Sequence, residues 1–173
     1  VLAKLRNKLD EWWADVGPNA NDVQRVVIGS KQENPSRLTG CEWLDVFIDQ
    51  QRQIRVGQQK SGYWMLEVEE DGEYDFELRR WPIEIDRPIT APSESGQGAM
   101  DVDTASFYLS DYHHLDIADK TPYRFEGLNK PIGPDDTSVT FTAQLKKGPV
   151  ALHTWFRGES TILSAYYVYV TRK

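Results

Sequence analysis

The residue types that do chemistry are present in this chain, but their spacing assembles few sites. Pro35-Ser36-Arg37 matches the tail of the C-x-P-S-R signature, whose leading cysteine or serine is matured to a formylglycine that attacks a sulfate ester. The leading position here is Glu33, and Cys41 lies beyond Arg37, on the wrong side, so that nucleophile cannot be assembled here. The segment reads as loop, and Asn34-Pro35-Ser36 is blocked as a glycosylation acceptor by its central proline. The histidines are His113, His114 and His153. Adjacent residues on a strand face opposite sides, so at most two of the three converge, fewer than a histidine metal site needs. Asp101, Asp103 and Asp111, or Asp135 and Asp136, are hard oxygen ligands of the kind calcium takes, but their spacing lacks the Gly and distal Glu of a known loop. Carboxylates are plentiful, yet an acid/base pair is defined by separation in space, which the sequence neither shows nor excludes. The chain has no Gly-rich phosphate loop, no nucleophile elbow and no cofactor fingerprint. Neither a catalytic residue nor a metal ligand is assigned.

The aromatic residues say more. Trp43, Trp64, Trp81, Trp155, Tyr166, Tyr167 and Tyr169 supply large flat faces, and an exposed indole stacks on the apolar face of a pyranose while nearby polar groups orient it. Trp64 and Phe76 fall on core positions. Trp81 follows Arg79-Arg80 and precedes Pro82, where a strand ends and a ring beside a guanidinium can face a ligand. Arg79, Arg80, Trp81 and Arg87 are therefore the candidate ligand-binding residues, with core or cation–π packing as the competing fate of Trp81.

These residues need elements to position them. Leu2, Leu5, Leu9, Trp12, Trp13 and Val16 recur at spacings of three or four, which predicts one amphipathic helix over residues 1–17, ended by Gly17-Pro18. Trp12 and Trp13 are expected to pack on this domain or on a missing neighbour. The rest, residues 24–173, reads as a β-sandwich domain. Gln24 to Ile28 predicts a short strand and Gly29 to Gly40 a loop. Gly62 to Glu69 and Glu73 to Trp81, joined at Asp71-Gly72, predict a hairpin, with Tyr74, Phe76 and Leu78 as core and Glu73, Asp75, Glu77 and Arg79 facing water. Pro82, Pro88, Pro92 and the stretch from Ser93 to Gly98 predict a long surface loop. Strands follow at Thr104 to Ser110, His113 to Ala118, Ser138 to Leu145, Val150 to Phe156 and Ile162 to Val170, with Thr121 to Asp136 turn-rich. About eight short strands with turns between them predict a mainly β chain, an antiparallel, jelly-roll-like sandwich.

Composition narrows the function classes. The chain has 173 residues, enough for one buried core, with 27 acidic against 20 basic residues and a formal charge of -7. That balance argues against nucleic acid as a partner. No apolar run approaches the ~20 residues of a membrane span, so a soluble chain is expected. Cys41 is the single cysteine, which excludes an internal disulfide. Val1 is not a start methionine, and the chain reads as a piece of something longer, with any export signal upstream.

Several runs carry a resemblance. D-E-W-W at Asp10 to Trp13, R-V-V-I-G-S at Arg25 to Ser30, Asn34-Pro35 followed by Leu38-Thr39, and Trp43 resemble the C-terminal part of bacterial arylsulfatases. G-E-Y-D-F-E-L-R-R-W-P-I-E at Gly72 to Glu84 and A-Y-Y-V-Y-V at Ala165 to Val170 resemble the β-rich extension that some of them carry after the catalytic domain. The resemblance implies a non-catalytic accessory domain of a secreted or periplasmic sulfatase, partnered by the catalytic domain of the same chain. That catalytic domain, and not this one, would hold calcium and the formylglycine. No cofactor is expected in this domain. The alternative is a carbohydrate-binding module that keeps the parent enzyme on a sulfated polysaccharide.

Overall fold

The computed structural model describes residues 1–44, 46–110 and 127–173. Among the described residues it is mainly β, with ten strands in two open sheets and one long N-terminal helix. Helix α1 (Leu2–Val16) runs as the periodicity predicts, and the Gly17 N–H closes it on the Trp13 carbonyl. A Cβ at Gly17 would lie 3.1 Å from the Trp13 indole, so the turn against that ring favours glycine. None of the helix's side chains is buried.

The first sheet contains β1 (Val26–Ile28), β3 (Tyr63–Val68), β5 (Thr104–Ser110), β6 (Leu128–Pro131), β8 (Gly148–Arg157) and β9 (Ile162–Leu163). Its order is β1-β3-β8-β5-β6, with β9 paired to β8. The second contains β2 (Ser36–Thr39), β4 (Gly72–Arg79), β7 (Val139–Leu145) and β10 (Tyr167–Arg172), in the order β2-β10-β4-β7. Among the described residues every strand pairing is antiparallel except β1 with β3. The chain changes sheet at most of its connections, which gives the jelly-roll-like sandwich. The core lies between the sheets. Phe107 of β5 stacks on Phe141 of β7 at 5.2 Å and tilts against Phe76 of β4 at 5.0 Å, so one ring from the first sheet contacts two from the second. Leu66, Leu152 and Phe156 face Leu38, Leu78 and Val168 within the same cluster.

The structure corrects several local readings. The run Gly62 to Trp81 is not a hairpin: β3 pairs with β1 and β8, whereas β4 pairs with β10 and β7 in the other sheet. Asp71-Gly72 therefore turns an arch between the sheets, and Lys147 sits in a second arch between β7 and β8. The Lys147 backbone N–H donates to Asp71 Oδ1 at 2.7 Å and Lys146 Nζ pairs with Asp71 Oδ2 at 2.8 Å, so the two arches clasp each other. The predicted loop over Gly29 to Gly40 contains edge strand β2, and the turn-rich stretch before Asp136 contains β6. Both strands are four residues long, too short to show a period among turn-forming residues. The closing segment divides into β9 and β10, and a short helix, α2 (Gln51–Arg55), precedes β3. The proline-punctuated stretch after β4 lacks strand structure, as predicted, but it is not purely a surface loop: Ile89, Ser93, Met100 and Val102 are buried. The strand predicted over His113 to Ala118 lies outside the described residues.

Candidate functional site

The period of two along β4 turns Tyr74, Phe76 and Leu78 inward, and the same alternation carries Arg80, one residue past the strand's end, into the interior. Arg80 is 0% exposed. Its Nη1 donates to the carbonyls of Ile89 (3.2 Å) and Ala91 (2.8 Å). Its Nη2 donates to the Gly98 carbonyl (2.5 Å) and to those of Ile54 and Arg55 at the end of α2 (3.4 Å each). One guanidinium thus ties α2, the loop after β4 and the Gly98 turn together. Gly98 has φ +72, and a Cβ there would lie 2.3 Å from the Arg55 carbonyl oxygen, so this crossing requires glycine. Burial pushes Arg80 down to about 10, the Tyr166 hydroxyl opposes that shift, and the positive charge of Arg87 adds to it.

Arg79, its neighbour, is handled in the opposite way. It pairs with Glu77 at 2.7 Å and with Asp86 at 2.9 Å. Asp86 has φ 43, a left-handed conformation that aspartate tolerates, and this pairing draws its carboxylate onto Arg79. The partnered arginine is thus closed off by acids. Among the described residues Arg80 has carbonyl partners and no ion pair.

Trp81 is 4% exposed, against the expectation of an open indole. Its Nε1 donates to the Pro88 carbonyl at 3.2 Å, and the Arg80 guanidinium lies 4.4 Å from its ring centroid. The cation–π alternative is the arrangement found. Trp43, Trp64, Trp155, Tyr166 and Tyr169 are likewise buried and Tyr167 is half-buried, so no indole of the sandwich offers a stacking platform. Of the six tryptophans only Trp12 and Trp13 on α1 are open, at 54% and 55%.

What Trp81 does form is one wall of a cleft between α2 and the loop after β4. At one end Arg55, Trp81, Ile85, Arg87, Ser93, Glu94 and Ser95 surround a depression of about 210 Å³. Next to it a depression of about 140 Å³ shares Arg55, Trp81 and Ile85 and adds Ile54, Pro82 and Tyr167. A third, about 380 Å³, shares Ile54, Pro82 and Tyr167 and extends past Arg37, Glu84 and Asp49 to Cys41. The loop wall is pinned: the Ile83 N–H donates to the Tyr169 hydroxyl at 3.0 Å, and the Ile89 N–H donates to the Asp136 carbonyl at 2.8 Å. Ile85 remains half-exposed at the lip. Of the sequence candidates, Trp81 and Arg87 therefore meet at this cleft, Arg80 lies behind it, and Arg79 faces away into its own ion pairs. Arg55, Ile85 and Tyr167 were not among the candidates. No local pattern marks them, because α2, the loop and β10 are far apart in the chain.

A second polar and aromatic cluster covers the outer face of the first sheet. His153 stacks on Tyr63 (5.1 Å) and Trp155 (5.9 Å) and tilts against Tyr108 (5.8 Å), with its Nε2 3.4 Å from the Ser110 hydroxyl. Burial pushes the imidazole down to about 4. Beside it Arg157 donates to Ser106 Oγ (2.9 Å) and Asn129 Oδ1 (2.8 Å). Tyr63 and Trp155 are buried, whereas Tyr108 stays 37% exposed. Among the described residues no three His, Cys, Asp or Glu side chains gather to hold a metal ion. Asp111, His113 and His114 lie outside them. Among the described residues, too, no helix is long and apolar enough to cross a membrane.

No family model and no curated protein matches the chain. Among solved structures it is similar to a ruminal GH26 endo-β-1,4-mannanase, over 82% of this chain, at 11% identity and a TM-score of 0.38. The chain spans only about a quarter (26%) of the length of that enzyme chain. At that identity and score the likeness says nothing of what this chain does.

Proposed function

We propose that the chain is a non-catalytic accessory module of a sulfatase, held against the catalytic domain through α1. The observation that carries this reading is the helix itself. Leu2, Leu5, Leu9, Trp12 and Trp13 line one stripe and all remain exposed, while the sandwich fills its core from its own strands and the loops between them. An apolar stripe of this size on a soluble protein marks an interaction surface. The resemblance of Asp10 to Trp13, Gly72 to Glu84 and Ala165 to Val170 to arylsulfatase segments supports a sulfatase catalytic domain as that partner. In this reading the formylglycine and calcium belong to the catalytic domain, and the parent is secreted or periplasmic. The first test is the coding sequence upstream of Val1, where an in-frame sulfatase domain with the C-x-P-S-R or S-x-P-S-R signature is expected. In that longer protein the paired change Trp12→Ala, Trp13→Ala should lower the melting temperature of the catalytic domain by about 4 °C or more. An unrelated upstream domain, or a parent indifferent to the paired change, contradicts the proposal.

A second reading, that the module binds a carbohydrate, is favoured by the cleft. Its apolar wall of Ile54, Trp81, Pro82, Ile85 and Tyr167, edged by Gln51, Ser93, Ser95 and arginines, has the mixed lining a pyranose takes. Affinity electrophoresis of the chain through gels containing polysaccharide tests it directly. Retardation that Ile85→Asp abolishes supports the reading, and free migration in every gel contradicts it.

A further inference from the structure

We propose that the Arg55–Arg87 end of the cleft is a site for the anionic substituent of a sugar, a sulfate ester or a carboxylate, whose ring lies against Ile85, Pro82 and Tyr167. This rests on the second reading above, that the cleft takes a carbohydrate, and adds the charge of the ligand.

Four other arginines of this chain are held by acids. Arg79 holds two carboxylates, Arg25 pairs with Glu67, Arg37 with Glu84, and Arg172 with Glu70. In a protein of formal charge -7 acids are abundant, so neutralising a cation costs little in sequence terms. Among the described residues, no ion pair joins Arg6, Arg52, Arg55, Arg80 or Arg87 to a carboxylate, and of these Arg55, Arg80 and Arg87 gather at one end of the cleft. Arg55 and Arg87 nonetheless line the same depression, and Arg80 lies close enough behind it to be repelled by Arg87. Glu94 lines that depression as well, yet it reaches neither guanidinium. Set against the one carboxylate of Glu94, the three guanidiniums leave a net positive charge around the depression, and a group buried as fully as Arg80 is screened less by salt than a surface charge.

The donors that remain are suitably placed. Arg87 commits Nη1 to the Pro92 carbonyl at 2.9 Å, and Arg55 commits Nη2 to the Gln51 side chain at 3.3 Å. Each guanidinium carries five N–H groups, so most of both forks stay available for the oxygens of an anion. Ser95 adds a hydroxyl on the same rim, held at 3.0 Å by the Oγ of the buried Ser93. The apolar surface begins at Ile85 and Pro82, next to this anion site, so one sugar ring bearing a charged substituent spans both.

Isothermal titration calorimetry of the whole chain at low ionic strength tests this, with a sulfated galactan oligosaccharide, its desulfated form, an oligogalacturonate and inorganic sulfate as probes. The expected result is that the sulfated galactan or the oligogalacturonate binds at least about tenfold more tightly than the neutral oligosaccharide. Arg55→Ala and Arg87→Ala should each remove about a tenfold factor, while Arg52→Ala, on α2 but outside the cleft lining, should not. Comparison of the two anionic probes separates sulfate ester from carboxylate. Inorganic sulfate, with no ring to lay on Ile85, should bind more weakly than either. Equal affinity for charged and neutral sugars, or affinity unchanged in both arginine variants, overturns the inference and leaves the carbohydrate reading standing. If no saccharide binds, the reading and the inference fall together. Arg55 is exposed and among the described residues its side chain donates only to Gln51, so its variant will fold even where Arg87→Ala disturbs the loop.

Discussion

The guanidinium carbon of Arg80 lies 4.4 Å from the centroid of the Trp81 ring, and the two side chains together separate the core from the cleft. One residue faces inward and organises carbonyls from three segments; the next closes the wall. The cleft's shape therefore depends on a buried cation that no ligand touches.

Replacing Arg80 should consequently cost the fold more than any surface arginine. In Arg80→Met the carbonyls of Ile89, Ala91, Gly98 and Arg55 lose the Arg80 donor, while that of Ile54 keeps the Gly57 N–H. Buried acceptors left unpaired should lower stability by about 3 kcal/mol or more, read from urea denaturation. Arg80→Lys should not restore it, because a single ammonium cannot serve acceptors on two sides as the planar fork does. A loss below about 1 kcal/mol in Arg80→Met would contradict the bracing role.

Asp71 provides a pH-dependent test of the clasp between the two arches. The hydrogen bond from Lys146 and then that from the Lys147 N–H hold its carboxyl below the usual carboxylate range. A depressed carboxylate stabilises the fold above its unfolded pKa and loses that contribution as the pH falls through the folded one. Asp71→Ala should therefore lower the denaturation midpoint at neutral pH, and the difference from the parent chain should shrink in acid. A difference independent of pH would show that the clasp is not electrostatic.

His153 shapes the same curve at higher pH. Burial among Tyr63, Tyr108 and Trp155 pushes its imidazole down to about 4 in the folded chain, against ~6.5 when unfolded. Between those values the unfolded chain binds the extra proton. The contribution is thus fully present above ~6.5 and is lost as the pH falls through about 4. His153→Gln should flatten stability against pH between ~6.5 and ~5, before the carboxylates titrate. An unchanged slope there would mean that the imidazole is charged in the folded protein.

The α1 tryptophans should behave in the opposite way to Arg80. No side chain of the helix is buried, so Trp12→Ala with Trp13→Ala should change the stability of the isolated chain by no more than about 0.5 kcal/mol. A loss of about 2 kcal/mol would place the stripe against the sandwich itself.

Much of this was legible in the sequence where a period was long enough to read. The helix, the strand at Thr104 to Ser110, the core alternation Tyr74-Phe76-Leu78 and the sandwich class follow from spacing alone. The same alternation, continued by one step, points Arg80 inward, so its burial was available as a signal although Arg80 was read as a ligand contact. Sheet membership was not available. Asp71-Gly72 marks a reversal, but whether the next strand returns beside β3 or crosses to the facing sheet is decided by β8 and β10, far along the chain. The cleft was half legible for the same reason. Trp81 and Arg87 sit on one loop and stand out locally, whereas Arg55 and Tyr167 join them only once α2 and β10 are in place.

The most direct measurement is a two-dimensional ¹H–¹⁵N spectrum that includes arginine Nε–H and tryptophan indole signals, recorded as a sulfated galactan oligosaccharide is added. The account requires shifts at Arg55, Ile85, Arg87 and Tyr167, with the Trp12, Trp13 and Trp155 indoles and the signals of β6 unmoved. Shifts confined to the Tyr63–His153–Trp155 face, or to α1, would contradict it.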